Sequence, residues 1–423
     1  MLMTRKTIWT GLGALAAVGV ALAFAILWRP AIAPRGELAA ASQEQIRRGS
    51  LVVEAGDCAV CHTRPGGAYL AGGLGLVTPF GTLYSTNITP DARTGIGQWS
   101  FEAFERAMRH GISQDGHFLY PAFPYVHYRR MTDGDLRDAY AYLMSGPPVN
   151  APATDNQMNF PMNIRPLVSF WNILFLRGET SPHDATRSAP WNRGRYLVEG
   201  AGHCAACHSP LNLLGAETSG EQLAGGVVDG WEAPDLRGMA RSPARWTSEQ
   251  LVAYLRGDVA ADHGAAAGPM RPVSLGLARL PSADVQAIAE YLLSLPPGRA
   301  SAVSPAPRQT PADPRQAQGA ALFQASCAGC HDDAAPMRQI DARPALAMTS
   351  ALRADSPRNF IKTVLEGLPP TPGQAGPAMP PFAASLDNRQ LAQLAAYLRA
   401  KAKPQQPWQD LSTTLDALRE QTP

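Results

Sequence analysis

Five residues recur three times along this chain and constrain it more than anything else in it. They are Cys58-Ala59-Val60-Cys61-His62, Cys204-Ala205-Ala206-Cys207-His208 and Cys327-Ala328-Gly329-Cys330-His331. Two thiols three positions apart, followed at once by an imidazole, form the attachment pattern of c-type haem. The thiols add to the vinyl groups and the histidine becomes the proximal iron ligand. The motifs use all 6 cysteines, so none remains for a disulfide or a separate zinc site. Thioredoxin-type pairs and zinc ribbons also use C-x-x-C, but neither requires the histidine that follows. The pattern predicts three covalently bound haem c groups, on Cys58 and Cys61, Cys204 and Cys207, and Cys327 and Cys330, with His62, His208 and His331 on the iron.

The rest of the composition is read against that cargo. At 423 residues the chain holds three haem units of roughly 100 residues each. Each small unit would gain its core by wrapping a large apolar macrocycle. The 38 glycines and 38 prolines imply long connecting loops. A net charge of +2 with 17% charged residues gives no footprint for a nucleic-acid partner.

The N-terminus sets the compartment. Arg5 and Lys6 precede an uncharged run from Thr7 to Trp28 that is 22 residues long. A helix of that length crosses the ~30 Å core of a bilayer and is longer than the apolar core of a cleavable signal. The basic end stays cytoplasmic, which puts the haem motifs on the periplasmic side of the inner membrane. The alternative is a leader cleaved near Ala31-Ile32-Ala33.

The chain then divides into a first haem unit (44–150), an apolar connector (151–187), a second unit (188–298), a Pro-rich linker (299–314), a third unit (315–402) and a tail (403–423). A helix is expected from about Gln43 to Glu54. The glycine-rich segment from Ala71 to Thr89 is expected to wrap the haem as a loop. Ser100 caps a helix bearing Phe101, Phe104, Ala107 and Met108, which Gly111 stops, and Asp135 to Met144 forms the next. The second unit repeats this plan: Trp246-Thr247 matches Trp99-Ser100, Thr247 and Gln250 make a capping box, and Glu290-Tyr291-Leu292 matches Ala141-Tyr142-Leu143. The third ends on Ala396-Tyr397-Leu398. The connector carries an apolar stretch from Phe160 to Leu176, too short to cross a membrane, that packs between haem units, docks a partner or meets the lipid surface. The tail, with Trp408, Leu411, Leu415 and Leu418, is read as a frayed terminus in preference to an amphipathic helix.

A low-spin electron-transfer haem needs a second axial ligand. Met270, 62 positions after His208, and Met379, 48 positions after His331, lie in Pro/Gly loops rather than on periodic faces, and are the expected distal ligands. In the first unit that position is Phe123, which cannot bind iron. His127, four residues on, is the preferred substitute, with Met131, His117 and Met108 as alternatives. An iron left open there would instead permit a haem enzyme.

With these residues in view, the chain resembles the triheme cytochrome c subunits of membrane-bound bacterial dehydrogenases that oxidise alcohols, aldehydes, gluconate and related substrates. The resemblance runs from about residue 44 to 400. It rests on Thr78-Pro79-Phe80-Gly81, on Tyr84-Ser85-Thr86-Asn87-Ile88-Thr89-Pro90-Asp91 and on Thr94-Gly95-Ile96-Gly97. It also rests on Leu119-Tyr120-Pro121-Ala122, Asn212-Leu213-Leu214-Gly215-Ala216, Leu223-Ala224-Gly225-Gly226 with Trp231 and Ala233-Pro234, and the two methionine loops. It implies an all-α fold of three tandem cytochrome c domains, each wrapped around a covalent haem, behind an N-terminal transmembrane helix. It also implies a subunit with no bond-making chemistry of its own, which takes electrons from a catalytic partner and passes them to ubiquinone. Phe123 followed shortly by a histidine is more similar to subunits that accompany molybdopterin/iron–sulfur aldehyde or N-heterocycle dehydrogenases. The cytochrome subunit of a pyrroloquinoline quinone (PQQ) alcohol dehydrogenase is the other member of the family to weigh.

Overall fold

The computed structural model describes residues 27–37, 40–178, 183–241, 245–298, 315–336, 345–370, 378–409 and 411–420. The expected anchor, apart from Leu27 and Trp28, and the linker 299–314 lie outside the described residues. Among those described, no helix is long and apolar enough to cross a membrane. The chain falls into two compact units, Met1–Pro182 with Glu199–His203, and His183–Val198 with Cys204–Pro423.

In the first unit, Ser42 accepts the Gln45 N–H at 3.1 Å and opens α1 (Gln43–Ala55). The haem motif is one turn, α2 (Cys58–His62). Next comes a hairpin of β1 (Gly75–Thr78) and β2 (Gly81–Tyr84), joined later by β3 (Gln157–Met158) on the other side of β2. The expectation of helices and loops alone is corrected here. Gly81, at φ 121°, makes the tight turn, and the β-branched Val77, Thr78 and Thr82 suit the pleated pair it joins. Helix α3 (Phe101–His110) starts at the Ser100 cap and ends on Gly111 at φ 62°, as the spacing predicts, with Phe104, Ala107 and Met108 buried. The turn α4 (Tyr125–Tyr128) and helix α5 (Asp133–Ser145), capped by Thr132, complete the repeat. In the connector, α6 (Val168–Phe175) buries only Val168 and Ser169.

The second unit holds two repeats of the plan. The first has α7 (Ala189–Tyr196), the motif turn α8 (Ala205–His208), the hairpin β4 (Gly226–Val228) with β5 (Trp231–Ala233), α9 (Ser248–Leu255) with its Thr247–Gln250 capping box, α10 (Met270–Leu277) and α11 (Ser282–Ser294). The second has α12 (Arg315–Ser326), the motif turn α13 (Ala328–His331), α14 (Ser350–Arg353), α15 (Arg358–Glu366) and α16 (Asn388–Ala402), which has a capping box of its own from Asp387 and Gln390. The tail is not frayed. Helix α17 (Leu411–Arg419) buries Leu411, Leu415 and Leu418, and with Trp408 they join the cluster that holds Phe323, Ile361, Leu365, Leu391 and Leu398. Burial of three leucines outweighs the loss of chain freedom that frays a terminus.

One contact recurs in all three repeats and frames each motif. The helix before the motif crosses the last helix of its repeat on a glycine. A Cβ on Gly49 would sit 1.9 Å from the Asp138 carbonyl oxygen and 2.8 Å from Tyr142 Cβ. On Gly194 the values are 1.9 Å to Ala287 O and 2.9 Å to Tyr291 Cβ, and on Gly319 they are 2.1 Å to Gln393 O and 2.7 Å to Tyr397 Cβ. Only hydrogen fits between those backbones.

Candidate haem-binding sites

Each motif turn follows its crossing helix, with a π-helical turn, Leu197–Ala201, between the two in the second repeat. Asp57 and His203, immediately before Cys58 and Cys204, both take positive φ, 49° and 37°. That left-handed kink lets a new helical turn start at the first cysteine. In the first repeat, Gly72 N–H donates to the His62 carbonyl at 2.7 Å, and the chain after the hairpin returns so that His62 Nδ1 donates to Thr86 O at 2.6 Å. In the second, Gly225 N–H donates to His208 O at 2.8 Å, and His208 Nδ1 donates to Pro234 O at 2.8 Å. The segment expected to wrap the haem also holds the His62 imidazole, through the Thr86 carbonyl.

A carbonyl only accepts, so the proton must sit on Nδ1, and Nε2 keeps its lone pair. Burial also lowers the pKa of both imidazoles, against the smaller opposing pull of those carbonyls, and keeps them neutral. This is the second-sphere arrangement of a metal-bound histidine. The six thiols are in no disulfide. The low-polarity surroundings of Cys58, with Asp57 and Cys61 adding to them, push its thiol up to about 12, unlike a redox-active pair with its lowered thiol pKa. Among the described residues no three His, Cys, Asp or Glu side chains converge as an ion cage. The donor set thus fits haem c: paired thiols to hold a porphyrin edge and one oriented imidazole for its iron.

The distal candidates are placed as follows. Met270 is the first residue of α10, after Gly268 at φ 50°, whose missing side chain makes room for Trp231: a Cβ there would lie 2.3 Å from the indole. Trp231 begins the strand that leads to Pro234, so one short segment touches both the Met270 loop and the His208 hydrogen bond. Met379 pairs its backbone with Leu368 (2.8 and 3.0 Å) and packs against the same cluster as Cys327 and Ala328. Phe123 packs on Tyr125 and Tyr128, with ring centroids 6.2 and 5.5 Å away. His127 is buried in α4, its Nδ1 3.3 Å from the Glu199 carbonyl. Met131 is buried just beyond, while His117 lies against Asp115 at 2.5 Å and Met108 is in the buried face of α3. The crossing glycines are the residues that motif reading missed. Their signal was a glycine eight to ten positions before the first cysteine of every motif.

Proximal histidines oriented for metal beside paired thiols, on small helical repeats, define a c-type cytochrome. Comparison with known proteins agrees. The family model described as "Cytochrome c" matches residues 192–296, and that described as "Cytochrome C oxidase, cbb3-type, subunit III" matches residues 314–398. The chain is 49% identical over 419 residues, 97% of its length, to a nicotinate dehydrogenase subunit of Pseudomonas putida, but it spans only 35% of that relative. It is 37% identical to the fructose dehydrogenase cytochrome subunit of Gluconobacter japonicus, with 85% of this chain and 80% of that subunit aligned. It is also 37% identical to the gluconate 2-dehydrogenase cytochrome c subunit of Pantoea cypripedii, over 85% and 86%. The chain belongs to the family of dehydrogenase cytochrome c subunits, electron-transfer components rather than catalysts.

Proposed function

We propose that this chain is a triheme electron-transfer subunit that takes electrons from a molybdopterin/iron–sulfur dehydrogenase and delivers them to ubiquinone, held at the periplasmic face of the inner membrane by residues 7–28. The observation that carries the reading is the threefold helix crossing on Gly49, Gly194 and Gly319, each just ahead of a C-x-x-C-H motif. It supports three separate haem domains, at 44–150, 188–298 and 315–402.

Cys58 and Cys61, Cys204 and Cys207, and Cys327 and Cys330 hold the three groups, with His62, His208 and His331 as proximal ligands. Met270 and Met379 are the distal ligands of the second and third, and His127 that of the first. Haem bound there supplies a one-electron ferric/ferrous couple. The chain's own residues set its potential. Thr86 and Pro234 fix the proximal imidazoles, the two thioethers favour the reduced state, and a second imidazole in the first domain favours the oxidised one.

The likeness to the Pseudomonas putida nicotinate dehydrogenase subunit over nearly the whole chain supports a partner that oxidises an N-heterocycle. Purification of the full chain from its native membrane with whatever accompanies it tests this. A molybdopterin subunit and ubiquinone reductase activity are the expected result, and a PQQ subunit would replace the proposed partner.

A further inference from the structure

Helix α6 is built the wrong way round for a surface helix. Its inner side is fastened: the Tyr125 hydroxyl donates to Asn172 Oδ1 at 2.7 Å, and Trp171 meets the Tyr125 ring edge-on with centroids 6.3 Å apart. Its outer side, with the turn before it, presents Phe160, Ile164, Leu167, Phe170, Ile173 and Leu174, exposed by 36 to 80%. At i, i+3 and i+4 spacing, Phe170, Ile173 and Leu174 form one face. From Asn156 to Gly178 there is no acidic residue, while Arg165 and Arg177 bracket the helix.

What covers this face is indicated by where the preceding chain leaves the fold. Ile32 N–H donates to Gln114 O at 2.8 Å, and Arg106 donates to Pro30 O at 2.7 Å. Gly116, at φ 93°, passes beneath the Arg29 carbonyl, and the Arg29 guanidinium lies 5.7 Å from the Phe118 ring centroid. Phe118 in turn packs with Ile112 on Val168, the first residue of α6. The 22-residue uncharged run that ends at Trp28 therefore leaves the fold one side chain away from α6.

We propose that the outer face of α6 lies in the interface of the phospholipid bilayer entered by the N-terminal run. This rests on the retained anchor proposed above. An apolar face carrying Phe170 beside Trp171, flanked by arginines and free of acidic residues, has the chemistry of a helix lying at the headgroup level of an anionic membrane. The anchor supplies a high local lipid concentration, so a surface of six side chains need not bind membrane alone. The consequence is orientation: two fixed points, not one flexible tether, would hold the first haem domain at a set attitude to the membrane.

The test uses the full, haem-loaded chain in vesicles of phosphatidylethanolamine and phosphatidylglycerol. Single spin labels are introduced as Ile173→Cys, Val77→Cys and Ala16→Cys, the six native thiols being taken up by haem. Visible spectra check that haem content is unchanged. The ratio of oxygen to nickel-chelate accessibility at position 173 should exceed that at position 77 several-fold, since Val77, on the exposed hairpin, stays chelate-accessible. A chelate-accessible label at 173 beside a lipid-exposed label at 16 overturns the inference and leaves the anchor standing. Chelate access at 173 in a mature chain whose intact mass lacks residue 16 overturns both. Protection of 173 from both reagents in complex with the catalytic subunit assigns the face to protein and overturns the inference.

Discussion

At the scale of single residues, the distal ligands decide what each haem does. Met270 opens α10, Met379 packs against the cluster that also touches Cys327, and Phe123, at the corresponding spacing in the first repeat, packs on Tyr128. Near-infrared magnetic circular dichroism of the oxidised protein should give methionine-to-iron charge transfer from two haems and a bis-imidazole signature from one. Met270→Leu and Met379→Leu should each remove one methionine signal and lower one potential. Methionine ligation at all three haems would rule His127 out. Gly367 is a second test of the third site. It holds φ 70° and ψ −172°, a region that is nearly glycine-only, and a Cβ there would fall 2.4 Å from the Met379 carbonyl. Gly367→Ala should cost about 1–3 kcal/mol and displace the Met379 loop, read as a lower Tm together with loss of one methionine band.

At the scale of elements, the three crossing helices share one weak point. Alanine is ordinarily the better helix former by about 1 kcal/mol. At Gly49, Gly194 or Gly319, however, its methyl would overlap a carbonyl of the facing helix, which is backbone and cannot swing away. Each Gly→Ala variant should therefore lose about 1–3 kcal/mol of stability in denaturant titration, reversing the propensity trend. A stabilised Gly49→Ala would contradict the crossing. The tail helix gives a separate prediction. Leu415 is 0% exposed in the cluster around Leu391 and Leu398, so Leu415→Ala should destabilise that repeat by about 2–5 kcal/mol in the same assay. A frayed tail would leave stability unchanged. Capping was the part of element structure most legible in the sequence. Ser100, Gly111 and the Thr247–Gln250 box sit where the pattern put them, because a cap is decided by residues within four positions of one another. The hairpins were not legible. Their strands are three or four residues long and their pairing is set by glycine turns.

At the scale of the whole molecule, what matters is how many redox groups the chain carries and where they are anchored. Intact-mass measurement of the mature protein should give three haem adducts. Replacing both thiols of one motif, as in Cys327→Ala with Cys330→Ala, should remove one adduct and abolish the cooperative unfolding of that repeat alone. Two adducts in the unaltered protein would overturn the triheme reading. The fold divides into two compact units, the second of which holds two of the three motifs.

The sequence alone determined the donor set: each pair of thiols and the imidazole after it lie within five residues, and their order along the chain is enough to name the cofactor they fit. Tertiary structure decided what depends on distant partners. It brought Thr86 and Pro234 to the proximal imidazoles, set a glycine between each pair of crossed helices, folded the tail back onto a core and turned the apolar face of α6 outward. The first three are contacts between segments tens of residues apart, whose free energy is realised only once the chain has closed on itself.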